Sequence, residues 1–140
     1  MKDDGEGPSA GETMIETLRK RRSILLVDDD PAFLSTAQQA LTAAGYTVTT
    51  ATRFLDAVDI LDTCIDGIDA VIADLVLDKG NGLALGRMAR FSKSEVRTIY
   101  ISGYDIVIDE EIGSFLRKPV APEALVRALD DAFGIGPTAA

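Results

Sequence analysis

Short apolar runs alternate along this chain with stretches whose apolar residues return at helical spacing. Ser23-Ile24-Leu25-Leu26-Val27 is a continuous run, the pattern of a strand buried on both faces. Asp30-Pro31 then opens a helix, an acidic cap followed by proline at the first helical position, and Ala32 to Ala44 continues it until Gly45 stops it. Tyr46-Thr47-Val48-Thr49-Thr50 is β-branched and strand-like. Phe54, Leu55, Val58, Leu61 and Ile65 share one face of a second helix, and Asp69 to Asp74 is another buried strand. Gly82 to Phe91 reads as a third helix, Arg97 to Ser102 as a fourth strand and Ser114 to Arg117 as a short fifth. Pro122 to Phe133 closes the pattern, with Leu125, Val126, Leu129 and Phe133 on one helical face. Strands alternating with helices predict an α/β fold: a parallel sheet with right-handed crossovers and helices on both faces.

The ends differ from this middle. Met1 to Arg22 is polar and charged, with only Met14, Ile15 and Leu18 as larger apolar residues in its second half, and is expected as a tail, mobile or partly helical. Thr13 with Glu16 three residues on would make a capping box for one or two helical turns. Residues 134–140 are expected to fray, which leaves 23–133 as one domain, a reasonable span for a chain of 140 residues. The start is too polar for a signal peptide, and no stretch has the ~18 apolar residues of a membrane span.

Charge and residue counts narrow the chemistry. Fourteen basic against 23 acidic residues leave a net charge of -9, and the one basic cluster is Arg19-Lys20-Arg21-Arg22. Direct nucleic-acid binding is not expected from such a balance, and the cluster reads as a solvated lead-in to the first strand or a dock for an acidic partner. A single cysteine, Cys64, excludes an internal disulfide and fits a reducing cytoplasm. The chain has no histidine, so no Ser/His/Asp triad, imidazole zinc site or phosphohistidine can arise from it. Proton or phosphoryl chemistry falls to carboxylates, hydroxyls and lysine.

In open parallel sheets, sites lie beyond the carboxyl ends of the strands. There the first strand ends in Asp28-Asp29, the third in Asp74, the fourth in Ser102, and the fifth runs into Lys118-Pro119. Each alone reads as a turn residue. Gathered at one end of a sheet, three carboxylates and one lysine would sum to a formal -2, which one divalent cation cancels. All-oxygen ligands favour Mg2+ or another hard cation that takes a phosphate oxygen as a further ligand.

Ile24-Leu25-Leu26-Val27-Asp28-Asp29-Asp30-Pro31, Asp74 with Gly82 eight residues later, Ser102-Gly103 and Lys118-Pro119 resemble the receiver domain of two-component response regulators, over Ser23 to Phe133, 111 of 140 residues. The resemblance implies a three-layer, doubly wound, flavodoxin-like sheet of five parallel strands in the order 2-1-3-4-5. It also implies that Asp74 accepts a phosphoryl group from a phosphohistidine on another protein, a sensor histidine kinase or a histidine phosphotransfer protein. Asp28, Asp29, Asp74 and the backbone carbonyl of Val76 would hold Mg2+, with Asp28 acting mainly through water. Lys118 would pair with one phosphoryl oxygen and the Ser102 hydroxyl with another. Pro119 would be cis. On phosphorylation Ser102 would move toward the new oxyanion, and Phe115 would fill the vacated space. Plain core packing is the other reading of Phe115.

Several departures bear on these expectations. Asp78 stands where many receivers carry proline, followed by Lys79-Gly80-Asn81-Gly82. Only 16 positions separate Ser102 from Lys118, and the acidic, β-branched residues 104–112 are poor helix material, so the usual fourth helix is expected to be short or disordered. Ser102-Gly103-Tyr104 is similar to a subset of receivers with Gly-Tyr at this place. Val76 and Tyr104, which flank the hydrolytic water's path in the family, carry neither acid nor amide, so slow self-dephosphorylation is expected. With one receiver filling its length, the chain is expected to act alone, as relay or protein-binding switch rather than enzyme, without membrane insertion; homodimerisation stays open. Two other classes compete: a receiver fold that binds partners without accepting phosphate, and an aspartate-nucleophile phosphohydrolase using Asp28, against which Ala32 and the absence of a cap count.

Overall fold

The computed structural model describes residues 13–104 and 113–136. Five strands, β1 (Ser23–Val27), β2 (Thr47–Ala51), β3 (Ala70–Asp74), β4 (Arg97–Ser102) and β5 (Ser114–Arg117), form one sheet in the order β2-β1-β3-β4-β5. Every neighbouring pair is parallel. The helices are α1 (Met14–Lys20), α2 (Pro31–Ala44), α3 (Phe54–Cys64), α4 (Gly82–Ser92) and α5 (Pro122–Phe133), with a 3-10 turn at Ile65–Gly67. The parallel sheet expected from the alternation is present, in the doubly wound, flavodoxin-like order that the family resemblance implies.

Burial follows strand position. The central β3 is buried at all five residues, β1 at four of five, while the edge strand β2 alternates. Two apolar layers result. Ile24, Leu26, Ile72, Ile99 and Ile101 of the sheet pack with Leu34 and Leu41 of α2 and Leu125 and Leu129 of α5. On the opposite face Leu25, Val27, Val71 and Ala73 pack with Ala57 and Leu61 of α3 and Leu85 and Ala89 of α4. Burying apolar surface on both faces, at roughly 25 cal/mol per Å2 removed from water, stabilises the sheet that carries the strand ends.

The caps follow the sequence. Asp30 accepts a hydrogen bond from the Ala32 amide with Pro31 at the first helical position, and Gly45 ends α2 in the left-handed conformation at φ 119°. Of the expected lead-in, the described part contains α1, Met14–Lys20. Thr13 Oγ1 accepts from the Glu16 amide at 3.1 Å while Glu16 Oε1 accepts from the Thr13 amide at 2.8 Å. Arg19 then clamps α1 to the domain by a bidentate pair with Asp130, at 3.0 and 2.6 Å.

The C-terminal end corrects one expectation. Gly134 and Ile135 do not fray: Gly134 turns left-handed at φ 68°, Ile135 donates its amide to the Asp130 carbonyl at 2.8 Å, and its side chain is buried. This is a Schellman-type ending, in which the residue after glycine packs back on the helix. The expected loss of the fourth helix falls on residues 105–112, outside the described residues.

Candidate phosphoacceptor site

The carboxyl ends of β1 and β3 lie side by side, because Val27 pairs with Ala73, one residue before Asp28 and Asp74. Lys118 follows β5, and its backbone amide donates to the Ser102 carbonyl at 2.8 Å, extending the β4–β5 ladder to the same end of the sheet. Parallel pairing with right-handed crossovers thus brings together residues up to 90 positions apart in sequence.

The Lys118 ammonium sits between two carboxylates. Its Nζ lies 2.6 Å from Asp74 Oδ2 and 3.5 Å from Asp28 Oδ2. Burial alone would lower the lysine, but the hydrogen bond to Asp74 and the charge of Asp28 outweigh it and raise its pKa. The ammonium therefore stays charged. Asp28 is instead pushed toward its neutral form: burial raises its carboxyl pKa, and its hydrogen bond from the Asp30 amide and the pull of Lys118 only partly offset that.

Asp28 Oδ2 is buried with no hydrogen-bond partner among the described residues, the 3.5 Å contact being an ion pair rather than an aligned hydrogen bond. A buried acceptor without a donor typically costs 1–3 kcal/mol, more when charged. Such an oxygen fits a hard cation. Among the described residues, however, no three carboxylates stand together at a spacing that could hold a metal ion.

The structure treats the expected site residues unequally. Asp28, Asp74 and Lys118 converge as described. Asp29 is adjacent but exposed, and its Oδ2 accepts from the Asp78 amide at 3.3 Å. Val76 donates its amide to Asp74 Oδ1 at 3.0 Å, and its side chain is 61% exposed. Ser102 is fully buried, and its Oγ accepts from the Tyr104 amide at 3.0 Å, so the hydroxyl is engaged with its own loop. Tyr104 projects into solvent, 68% exposed. Phe115 is half-buried in β5, opposite Tyr100 in the ladder, and the Lys118–Pro119 bond is cis.

Three contributions were hidden in the sequence. Gly82 packs so closely on the Asp74 carbonyl that any Cβ there would collide with it, which gives the Asp74-to-Gly82 spacing a steric reason. The Phe33 ring lies 6.0 Å from Lys118 Nζ and walls the ammonium on one side. The Asp78 amide reaches Asp29, a contact a proline there would lack.

Comparison with known proteins shows the family of the chain. The family model of the response regulator receiver domain matches residues 24–130. The chain belongs to that family. It is 33% identical over 120 residues to the transcriptional regulatory protein GlrR of Escherichia coli, covering 81% of this chain and 27% of GlrR. It is 28% identical over 116 residues to the sensor kinase CckA of Brucella abortus, covering 78% of this chain and 12% of CckA. The chain thus spans about a quarter or less of these relatives. A response regulator receiver domain protein from Clostridium thermocellum superposes with a TM-score of 0.73 at 25% identity, covering 81% of this chain and 94% of that one. Among the described residues, no helix is long and apolar enough to cross a membrane.

Proposed function

We propose that the chain is a phosphorylation switch or relay, in which Asp74 takes a phosphoryl group from a phosphohistidine on a sensor histidine kinase or a histidine phosphotransfer protein. The observation that carries this reading is the buried Asp74 carboxylate held by the Lys118 ammonium beside a second buried carboxylate, Asp28. Such a group of charges disfavours folding unless it serves a ligand.

Asp74 is both nucleophile and acceptor: a carboxylate oxygen bonds to phosphorus as the P–N bond of the donor breaks, and the pair of electrons returns to the imidazole. Phosphoryl transfer needs in-line positioning and cations near the equatorial oxygens more than covalent help. The Val76 amide fixes one Asp74 oxygen, and the other stays on Lys118 until a phosphoryl group arrives for the ammonium to pair with. Ser102 supplies the second protein donor by turning its hydroxyl away from the Tyr104 amide. Half-buried Phe115, on the neighbouring strand, then follows the space Ser102 leaves.

Asp28, Asp29, Asp74 and the Val76 carbonyl are the groups that would hold Mg2+, whose charge neutralises the phosphoryl oxygens as negative charge gathers. The orphaned Oδ2 of Asp28 favours this assignment. The domain assists its own phosphorylation and is not a turnover enzyme, and its place is the cytoplasm, where phosphohistidine donors act. Incubation with acetyl phosphate and Mg2+ followed by intact mass spectrometry tests the reading. One added phosphoryl group, absent in Asp74→Asn and absent with EDTA, is expected; an unmodified wild-type chain would leave a binding module that needs no phosphate.

A further inference from the structure

The loop after β3 is a tight turn. Leu77 and Gly80 exchange backbone hydrogen bonds at 3.3 Å, and Lys79 alone among the described non-glycine residues has a positive φ, 67°. With Asp78 at the second position and a left-handed residue at the third, this is the pattern of a type II turn. The turn packs against the start of α3, where Gly80 lies so close to the Phe54 ring that a side chain there would overlap it. The turn aims a donor: the Asp78 amide points at Asp29 Oδ2, 3.3 Å away.

Asp28 and Asp74 are tied together through Lys118, while Asp29 is held by the loop, and no three carboxylates among the described residues form a metal-binding group. We propose that the Asp78 amide is a latch that holds Asp29 apart from Asp28 and Asp74, so that cation binding competes with this hydrogen bond and is weakened by it. The proposal rests on the cation reading above. Asp78 is thereby a positioning residue, acting through its peptide N–H rather than its carboxylate. Entry of the cation would also loosen the Leu77–Gly80 turn from Asp29, linking the loading of the site to a surface loop beside the start of α3.

Proline is favoured at the second position of a type II turn, so Asp78→Pro keeps the turn while deleting the donor, whereas Asp78→Ala keeps the donor and deletes the carboxylate. Calorimetric titration of MgCl2 into the metal-free chains separates the two. A net hydrogen bond of ordinary strength predicts Mg2+ binding about fivefold tighter in Asp78→Pro than in Asp78→Ala. Equal affinities, with binding retained, would overturn the latch and leave the cation site standing. No binding in any chain, wild type included, would overturn the cation reading and the latch with it. Should Asp78→Pro not fold, the amide proton of Asp78 in the wild-type NMR spectrum decides: it should shift upfield on Mg2+ addition as its hydrogen bond breaks, and an unmoved resonance would refute the latch.

Discussion

Tyr100 carries a phenol into the interior where, among the described residues, its hydroxyl has no well-aligned hydrogen-bond partner but has the Thr98 side chain as a polar neighbour, and Gly86 leaves the room it occupies. Burial raises its pKa, and the Thr98 side chain and the charges of Arg90 and Arg87 only partly offset that. Deleting an unpartnered buried hydroxyl recovers its desolvation penalty. Tyr100→Phe should therefore raise stability by about 1 kcal/mol, visible as a higher urea midpoint at unchanged slope. A lower midpoint would mean that the hydroxyl is satisfied.

Asp28 poses the same problem with a charge. Its carboxyl is raised by burial, so the native state binds the proton more tightly than the unfolded chain. Stability linked to this group is full below the unfolded carboxyl range and falls as pH rises through the folded pKa. Without Mg2+, Asp28→Asn should be more stable than wild type at pH 7, by roughly 1 kcal/mol, with the gain shrinking as pH approaches the carboxyl range. Melting curves in EDTA at several pH values give the comparison; a variant less stable throughout would contradict it. At this scale the sequence exposed which residue types end the strands. It could not show that Asp29 would be held by a backbone amide, because that depends on the turn conformation of Asp78 and Lys79.

Among the elements, α1 shows where local and distant signals part. Its start was legible, since the Thr13–Glu16 box is built from neighbours. Its docking was not. Arg19 meets Asp130 across 111 positions, and Asp130 also accepts from the Tyr46 hydroxyl at 2.7 Å. Burial and this carboxylate together raise the tyrosine, locking it in its neutral form. A polar knot of this kind loses most when its shared acceptor goes. Asp130→Ala should cost about 2–4 kcal/mol and Tyr46→Phe about 1 kcal/mol, with amide exchange in α1 accelerated in the first. Similar costs for both would mean that Asp130 is not the centre of the knot. The main strands were readable from apolar runs because a parallel sheet buries both faces of its central members. Likewise Ile135, read as part of a loose end, is tucked in by the left-handed Gly134, a feature of backbone geometry rather than of pattern.

Across the whole molecule, the sheet order turns a set of unremarkable turn residues into one charged site, in a chain that the receiver-domain family model matches over residues 24–130. The exposed, uncharged Val76 and Tyr104 side chains beside it are poor at orienting water, so the phosphorylated form should outlast that of a fast chemotaxis-type regulator. Following loss of label at neutral pH without a phosphatase measures this, and decay within seconds would contradict it. The most direct test of the account is to trap the phosphorylated chain by borohydride reduction and map the modified residue by peptide mass spectrometry. Modification at Asp74 alone is the predicted result; modification at Asp28, or at any residue other than Asp74, would contradict the account.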